Sequence, residues 1–205
     1  MTTFKLIMAG GFTIYILIFC SVLSVAIIIE RCMYYRARSR IRRADFMALI
    51  KKELEKGNIE NALKVCREKN TPFSKVVHAA LSFAGHSEKE ISNNMERTIV
   101  IETNLLEKRT TIVGTIGSTA VYIGLFGTVL GIIRAFNDIA SAGAGGINVV
   151  MNGISESLIC TAAGLSVAVP AVIAYNYFIK RIDNFITDME LCASEAMDMV
   201  KTGKK

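Results

Sequence analysis

The sequence is poor in the residues from which most active sites and cross-links are built. It has only two histidines, His78 and His86, and neither lies in a long stretch without charge. Its five cysteines form no CxxC pair and are odd in number, which argues against a disulfide framework and against a metal site. It also lacks a phosphate-binding loop and an acid–base constellation. We therefore predict no catalytic centre, no metal and no cofactor.

Charged residues are missing from three long stretches. Residues 6–29 and 110–133 contain none, and residues 139–179 contain only Glu156. About 20 apolar residues in a helix cross a bilayer, so each stretch is long enough. A hydrophobic content of 52% is also too high for an ordinary soluble domain. The sequence therefore predicts three transmembrane helices, near residues 10–30, 112–137 and 148–179.

The positive charge is unevenly distributed. Of the 24 lysines and arginines, seventeen lie between Arg31 and Arg109 and five from Lys180 onward. By the positive-inside rule both basic segments are cytoplasmic, and the N-terminus and the loop at residues 138–147 face the other side. Because topology accounts for the net charge of +6, no nucleic-acid partner is predicted.

The basic residues that follow the first span identify it as a retained anchor rather than a cleaved signal peptide, since no small-residue cleavage site is present. Tyr34 and Tyr35 follow the span directly. We expect both tyrosines in the aromatic belt at the membrane surface.

Helical patterns occupy the rest of the chain and predict an all-α fold. Residues 44–85 hold three short amphipathic patterns without strand alternation. From a capping box at Ser87 no proline or glycine occurs until Gly114, which predicts one helix running from the cytoplasm into the second span. The second and third spans thus extend into a cytoplasmic helical domain. The predicted divisions are residues 1–35, 36–111, 112–179 and 180–205.

Small residues recur at three- and four-residue spacing on both later spans, which lets helix backbones approach closely. We expect these residues to pack helices or to line a pore wall. Pro170 favours a kink in the third span. The positions are Gly117, Gly124, Gly127 and Gly131 on the second span, and Gly153 and Gly164 on the third.

Glu156 lies about nine residues, or roughly 13 Å, into the third span, near the middle of the hydrocarbon core. A carboxylate at that depth costs about 2.5–3.5 kcal/mol, so it marks a proton pathway by default. Two structural alternatives are a helix N-cap, if the span begins at Asn152, and an ion pair with Arg134. Thr128 and Thr161 can extend the polar path, although Thr128 can instead bond only to the carbonyl four residues before it.

Two segments of the later spans resemble the paired motifs of a known family. They read YIGLFGTVLGI (122–132) and GISESLICTAAGLSVAVPAVIAYN (153–176). Both are similar to the ExbB/TolQ proteins, the proton-channel subunits of energy-transducing motors in Gram-negative inner membranes, and more distantly to MotA. The expected three spans also favour ExbB/TolQ over the four-span MotA proteins.

The resemblance implies a homopentamer in the inner membrane, with a periplasmic N-terminus and a cytoplasmic C-terminus. Its second and third spans would surround the transmembrane helices of an ExbD- or TolR-type dimer, which supplies an essential aspartate and acts through TonB or TolA. The family's intramembrane glutamate falls on Glu156, and its two pore threonines fall on Thr128 and Thr161. The competing hypothesis is a structural membrane scaffold without proton conduction. An intramembrane enzyme has less support, because the spans lack histidine, an aspartate pair and a Ser–Lys arrangement.

Overall fold

The computed structural model describes residues 11–142 and 147–202, and within these ranges every regular element is helical. Three of the helices, α1, α6 and α7, are long and apolar enough to cross a membrane. The predicted all-α fold with three spans is therefore confirmed. The helices are α1 Gly11–Arg38, α2 Arg43–Glu55, α3 Ile59–Lys69, α4 Pro72–Ser82, α5 Glu88–Glu107, α6 Thr110–Ala142 and α7 Ile147–Thr202.

Helix α7 continues from the third span into the polar C-terminal part of the chain, as the sequence predicts. The predicted loop at residues 138–147 is helical as far as Ala142 and again at Ile147, and residues 143–146 lie outside the described part of the chain.

The expectation of one unbroken helix from Ser87 into the second span is wrong. Helix α5 ends at Glu107, and Arg109 adopts a left-handed conformation with φ of 68° before α6 begins. A continuous helix would bond the Leu105 and Leu106 carbonyls to later amides. Side chains occupy them instead: the Tyr35 hydroxyl donates to the Leu106 carbonyl at 2.8 Å, and Arg31 donates to the Leu105 carbonyl at 3.4 Å. These contacts come from distant parts of the chain, which local patterns do not reveal.

One compact unit contains the apolar half of α1, helix α6 and the first half of α7, within residues 1–30 and 109–177. Leu17 of α1, Ala120 of α6 and Ala168 of α7 form one buried cluster. A second cluster joins Ile27, Val113, Ile116 and Ala171. Each of the two clusters thus contains residues from all three candidate spans.

The second compact unit comprises residues 31–108 and the chain from residue 178 onward. Helix α4 is its most buried helix, and it begins with a capping box. The Thr71 hydroxyl accepts a hydrogen bond from the Ser74 amide, and the Ser74 hydroxyl accepts one from the Thr71 amide. Pro72 is the first helical residue, where proline is favoured. The cysteine of α3, Cys66, is 1% exposed. Burial raises the pKa of its thiol to about 12, so Cys66 behaves as a small core residue.

A buried carboxylate lies inside this unit. Glu102 of α5 is 3% exposed and its Oε1 accepts a hydrogen bond from Lys75 Nζ at 2.6 Å. Its Oε2 lies 3.6 Å from Arg38 Nη1. The carboxylate therefore links α5 to α4 and to the end of α1. Removing a charge from such a group leaves cationic partners without their counter-charge.

We predict that Glu102→Gln destabilises the protein by roughly 1–2 kcal/mol, because the amide keeps the volume but loses two cationic partners. Thermal unfolding of the purified protein in detergent measures the effect. The matched control is Glu96→Gln on the same helix, where the carboxylate is exposed and, within the described ranges, bonds only to Ser92. Equal stability losses in the two variants would contradict the assigned role of Glu102.

Candidate functional site

Helices α6 and α7 touch through their backbones at two glycines. A Cβ added to Gly124 would lie 2.7 Å from the Cys160 carbonyl oxygen and 3.1 Å from Gly164 Cα. A Cβ added to Gly164 would lie 2.7 Å from the Ala120 carbonyl oxygen. Only hydrogen fits at either position, so the two glycines set the distance between the helices.

The same contact extends along both helices. An added Cβ would come within 2.8 Å of a side chain of the facing helix at three more positions: Gly117 against Val172, Gly131 against Ser157, and Gly153 against Ala135. Gly127 faces Cys160 of α7 and also Thr13 of α1. A Cβ added to Gly127 would lie 2.6 Å from the Thr13 hydroxyl oxygen. These glycines are occupied in packing within one chain. The helix-packing role expected for them is thus observed between α6 and α7.

Pro170 does not interrupt α7, which continues through it as one helix. Its side chain is exposed in the single chain, on a part of α7 that the glycine contact does not cover. The structure therefore places Pro170 outside the α6–α7 contact.

The close approach brings Thr128 and Thr161 together. Thr128 is 8% exposed, and its hydroxyl oxygen lies 3.2 Å from both the Gly124 and the Ser157 carbonyl oxygens. It also forms a hydrogen bond with the Thr161 hydroxyl on the facing helix. Bonding to the carbonyl four residues back is thus one part of a larger network. Since a hydroxyl has one proton, Thr128 can donate to one carbonyl while accepting from Thr161.

Glu156 lies apart from the threonine pair. Its side chain is exposed in the single chain and has no hydrogen bond or ion pair with any residue in the described ranges. The two structural alternatives are not observed: α7 begins at Ile147, too early for Glu156 to be its N-cap, and no ion pair forms between Glu156 and Arg134. The structure thus presents an intramembrane carboxylate on the outer surface of the α6–α7 pair.

Sequence reasoning missed a polar contact from the first span. The Thr13 hydroxyl, 4% exposed, lies 3.7 Å from Cys160 Sγ. A threonine near the start of an apolar span gives no sequence signal for this contact, because its partner is more than a hundred residues away. No group of three or more potential metal-ligating side chains occurs in the part of the chain that is described.

We predict that Gly124→Ala costs about 1–3 kcal/mol of stability, because its Cβ would meet backbone atoms that cannot rotate away. Gly114→Ala on the same helix is the matched control. Its Cβ would meet the Tyr175 ring at 2.8 Å, a side chain that can turn aside, and alanine gains up to about 1 kcal/mol in helix propensity. Thermal unfolding in detergent compares the two, and a control loss as large as that of Gly124→Ala would contradict the backbone contact.

Known proteins provide an independent comparison. The family model of the MotA/TolQ/ExbB proton channel family matches residues 68–191. A biopolymer transport protein ExbB from Neisseria meningitidis serogroup A is 30% identical over 205 aligned residues, covering 92% of this chain and 90% of the relative.

Two further relatives match smaller portions. The ExbB protein of Xanthomonas campestris pv. campestris strain B100 is 30% identical over 166 residues, 72% of this chain and 66% of the relative. The Tol-Pal system protein TolQ of Pseudomonas aeruginosa is 43% identical over 96 residues, 47% of this chain and 42% of the relative. The aligned part therefore spans just under two thirds of the Xanthomonas protein.

The family match includes all of α6 and most of α7, the two helices that hold Thr128, Thr161 and Glu156. Together with three helices able to cross a membrane, it identifies a multi-pass membrane protein. The chain belongs to the MotA/TolQ/ExbB proton channel family.

Proposed function

We propose that this chain is the proton-channel subunit of an inner-membrane motor that couples the proton motive force to work at the outer membrane. The observation that carries the proposal is Glu156, a carboxylate in a membrane-spanning helix with no partner among the described residues. Facing lipid, it would cost about 2.5–3.5 kcal/mol. The helix surface that carries Glu156 therefore faces protein or water in the working assembly.

The proposed assembly is a homopentamer around an ExbD- or TolR-type dimer of single-span proteins. The names of the relatives, ExbB and TolQ, support a partner of this kind. In this arrangement the exposed surfaces of α6 and α7 face the partner, and the partner supplies the second carboxylate of the relay. Work then passes to a TonB- or TolA-type transducer.

The proposed orientation has the N-terminus in the periplasm and the C-terminus in the cytoplasm. It rests on the excess of lysine and arginine between the first two spans and after the third. Protons entering from the periplasm would meet Glu156 before Thr161, because Glu156 lies nearer the start of α7. Each proton releases about 2.3 kcal/mol per 100 mV of membrane potential.

Thr128 and Thr161 are proposed to continue the polar path beyond Glu156. Hydroxyl groups can accept and donate a proton at once, which suits them to a hydrogen-bonded chain. Their observed bond already aligns two such groups across the α6–α7 contact. A structural scaffold needs no hydroxyl pair and no carboxylate at this depth.

Glu156→Ala tests the relay directly. We expect the variant to assemble with its single-span partner as the wild type does, but to slow proton uptake by proteoliposomes about 100-fold or more under an imposed potential. The control is Ser155→Ala, the exposed neighbour on the same helix, which should keep near-normal flux. Assembly with unchanged flux in Glu156→Ala would favour the scaffold hypothesis instead.

The threonine pair gives a second test. Thr128→Val and Thr161→Val keep the side-chain shape, and each should slow proton uptake about five- to tenfold, the equivalent of one lost hydrogen bond. The double variant should be no slower than either single variant, because the two hydroxyls act as one unit.

Thr115→Val is the matched control for the pair. Its hydroxyl is exposed on the same helix and bonds to the Thr111 carbonyl within its own helix. Additive losses in the double variant, or an equal loss in Thr115→Val, would contradict a shared role for Thr128 and Thr161.

A further inference from the structure

Six arginines lie within residues 31–43, immediately after the apolar part of α1. Three of them have partners inside the second compact unit: Arg31 with the Leu105 carbonyl, Arg38 with Glu102 and Arg43 with Glu195. The others, Arg36, Arg40 and Arg42, are exposed and form no hydrogen bond or ion pair with any residue that the structure describes. Only half of this basic segment is therefore used in holding the fold together.

The contacts of Tyr35, the residue before Arg36, place two unpaired lysines at the same height along α1 as Arg36. Its ring centroid is 5.5 Å from that of Phe178, and its hydroxyl donates to the Leu106 carbonyl at 2.8 Å. Lys108 and Lys180 each lie two residues beyond one of these contacts. Both lysines are exposed and, within the described ranges, have no ion pair or hydrogen bond. Three separate segments thus bring unpaired cations to one level.

Arg40 belongs to the same level as Lys180. The residue before Arg40, Ser39, accepts a hydrogen bond at 3.1 Å from Arg181, which is the residue after Lys180. We name Arg36, Arg40, Lys108 and Lys180 the basic collar. Three chain segments, from α1 onward, from the α5–α6 junction and from α7, contribute to it. Four cations at one level, none of which forms an ion pair within the described ranges, favour an anionic partner from outside the chain.

The position of the collar along α1 identifies the partner. Helix α1 continues without interruption from its apolar stretch, which ends at Ile29, to Arg38. Arg36 follows Ile29 by seven residues, about 10 Å along a helix. That distance lies a few ångströms beyond the head-group layer, and long arginine and lysine side chains can reach back to it. Lipid phosphate groups at this depth are suitable hydrogen-bond acceptors for arginine and for lysine side chains.

We propose that the basic collar binds the head groups of anionic phospholipids in the cytoplasmic leaflet. The arginines that pair internally hold the collar in place, and the unpaired cations contact the lipid phosphates. This binding is independent of proton conduction, and only its assignment to the cytoplasmic leaflet rests on the proposed orientation. Each cation near an anionic surface strengthens binding about fivefold.

Native mass spectrometry of the full-length chain in detergent tests the proposal, with phosphatidylglycerol and phosphatidylcholine as the probes. The wild type should retain phosphatidylglycerol in preference to phosphatidylcholine. The triple variant Arg36→Gln, Lys108→Gln, Lys180→Gln should lower that preference about tenfold or more. The matched control, Lys51→Gln, Lys64→Gln, Lys69→Gln, removes the same charge from exposed positions on α2 and α3 and should keep it.

Two further arms define the partner. A charge-retaining variant, Arg36→Lys, Lys108→Arg, Lys180→Arg, should keep the preference, and millimolar inorganic phosphate should not displace the lipid. The proposal is overturned if the wild type shows no preference, if the control triple loses as much as the collar triple, or if free phosphate displaces the lipid. Loss of the preference in the charge-retaining variant would equally overturn it, because the cations would then not be what the lipid recognises.

Discussion

The backbone contact between Gly124 and Gly164 is the constraint on which the membrane part of the structure depends. With any larger residue at either position, a Cβ would meet a carbonyl oxygen at 2.7 Å and separate α6 from α7. The hydrogen bond between Thr128 and Thr161 crosses this same contact. The glycines therefore create the hydroxyl pair, although they carry no chemistry themselves.

The contact also separates two kinds of intramembrane polar group. The threonine hydroxyls lie within the α6–α7 contact and have protein partners, so their burial carries little penalty. Glu156 lies on the outer surface of the same pair without such a partner in the described part of the chain. In a bilayer the first arrangement is stable in a single chain, whereas a carboxylate that faces lipid costs about 2.5–3.5 kcal/mol. The unpaired carboxylate is thus a physical reason to expect assembly.

Sequence reasoning succeeded where the governing pattern is local. Missing charges defined the spans, and glycine spacing indicated which helix faces pack closely, because both follow from periodicity along one helix. It failed where contacts join distant segments. Tyr35, expected in the interfacial belt, is 1% exposed and bonds to the Leu106 carbonyl, which helps end α5 where a continuous helix was predicted. Likewise, Thr13 gave no signal of its contact with Cys160.

The tightness of the α6–α7 contact limits how a proton-driven movement could occur. Sliding α6 along α7 would bring residues that carry a Cβ to the places where Gly131 now faces Ser157 and Gly153 faces Ala135, and a Cβ there would lie only 2.5 Å from the facing side chain. Interiors packed this closely do not deform continuously. The pair must therefore move as one rigid body, or stay still while a partner moves against it. If Glu156 carries the proton as proposed, the energy is released at the exposed surface of the pair, because that is where the carboxylate lies.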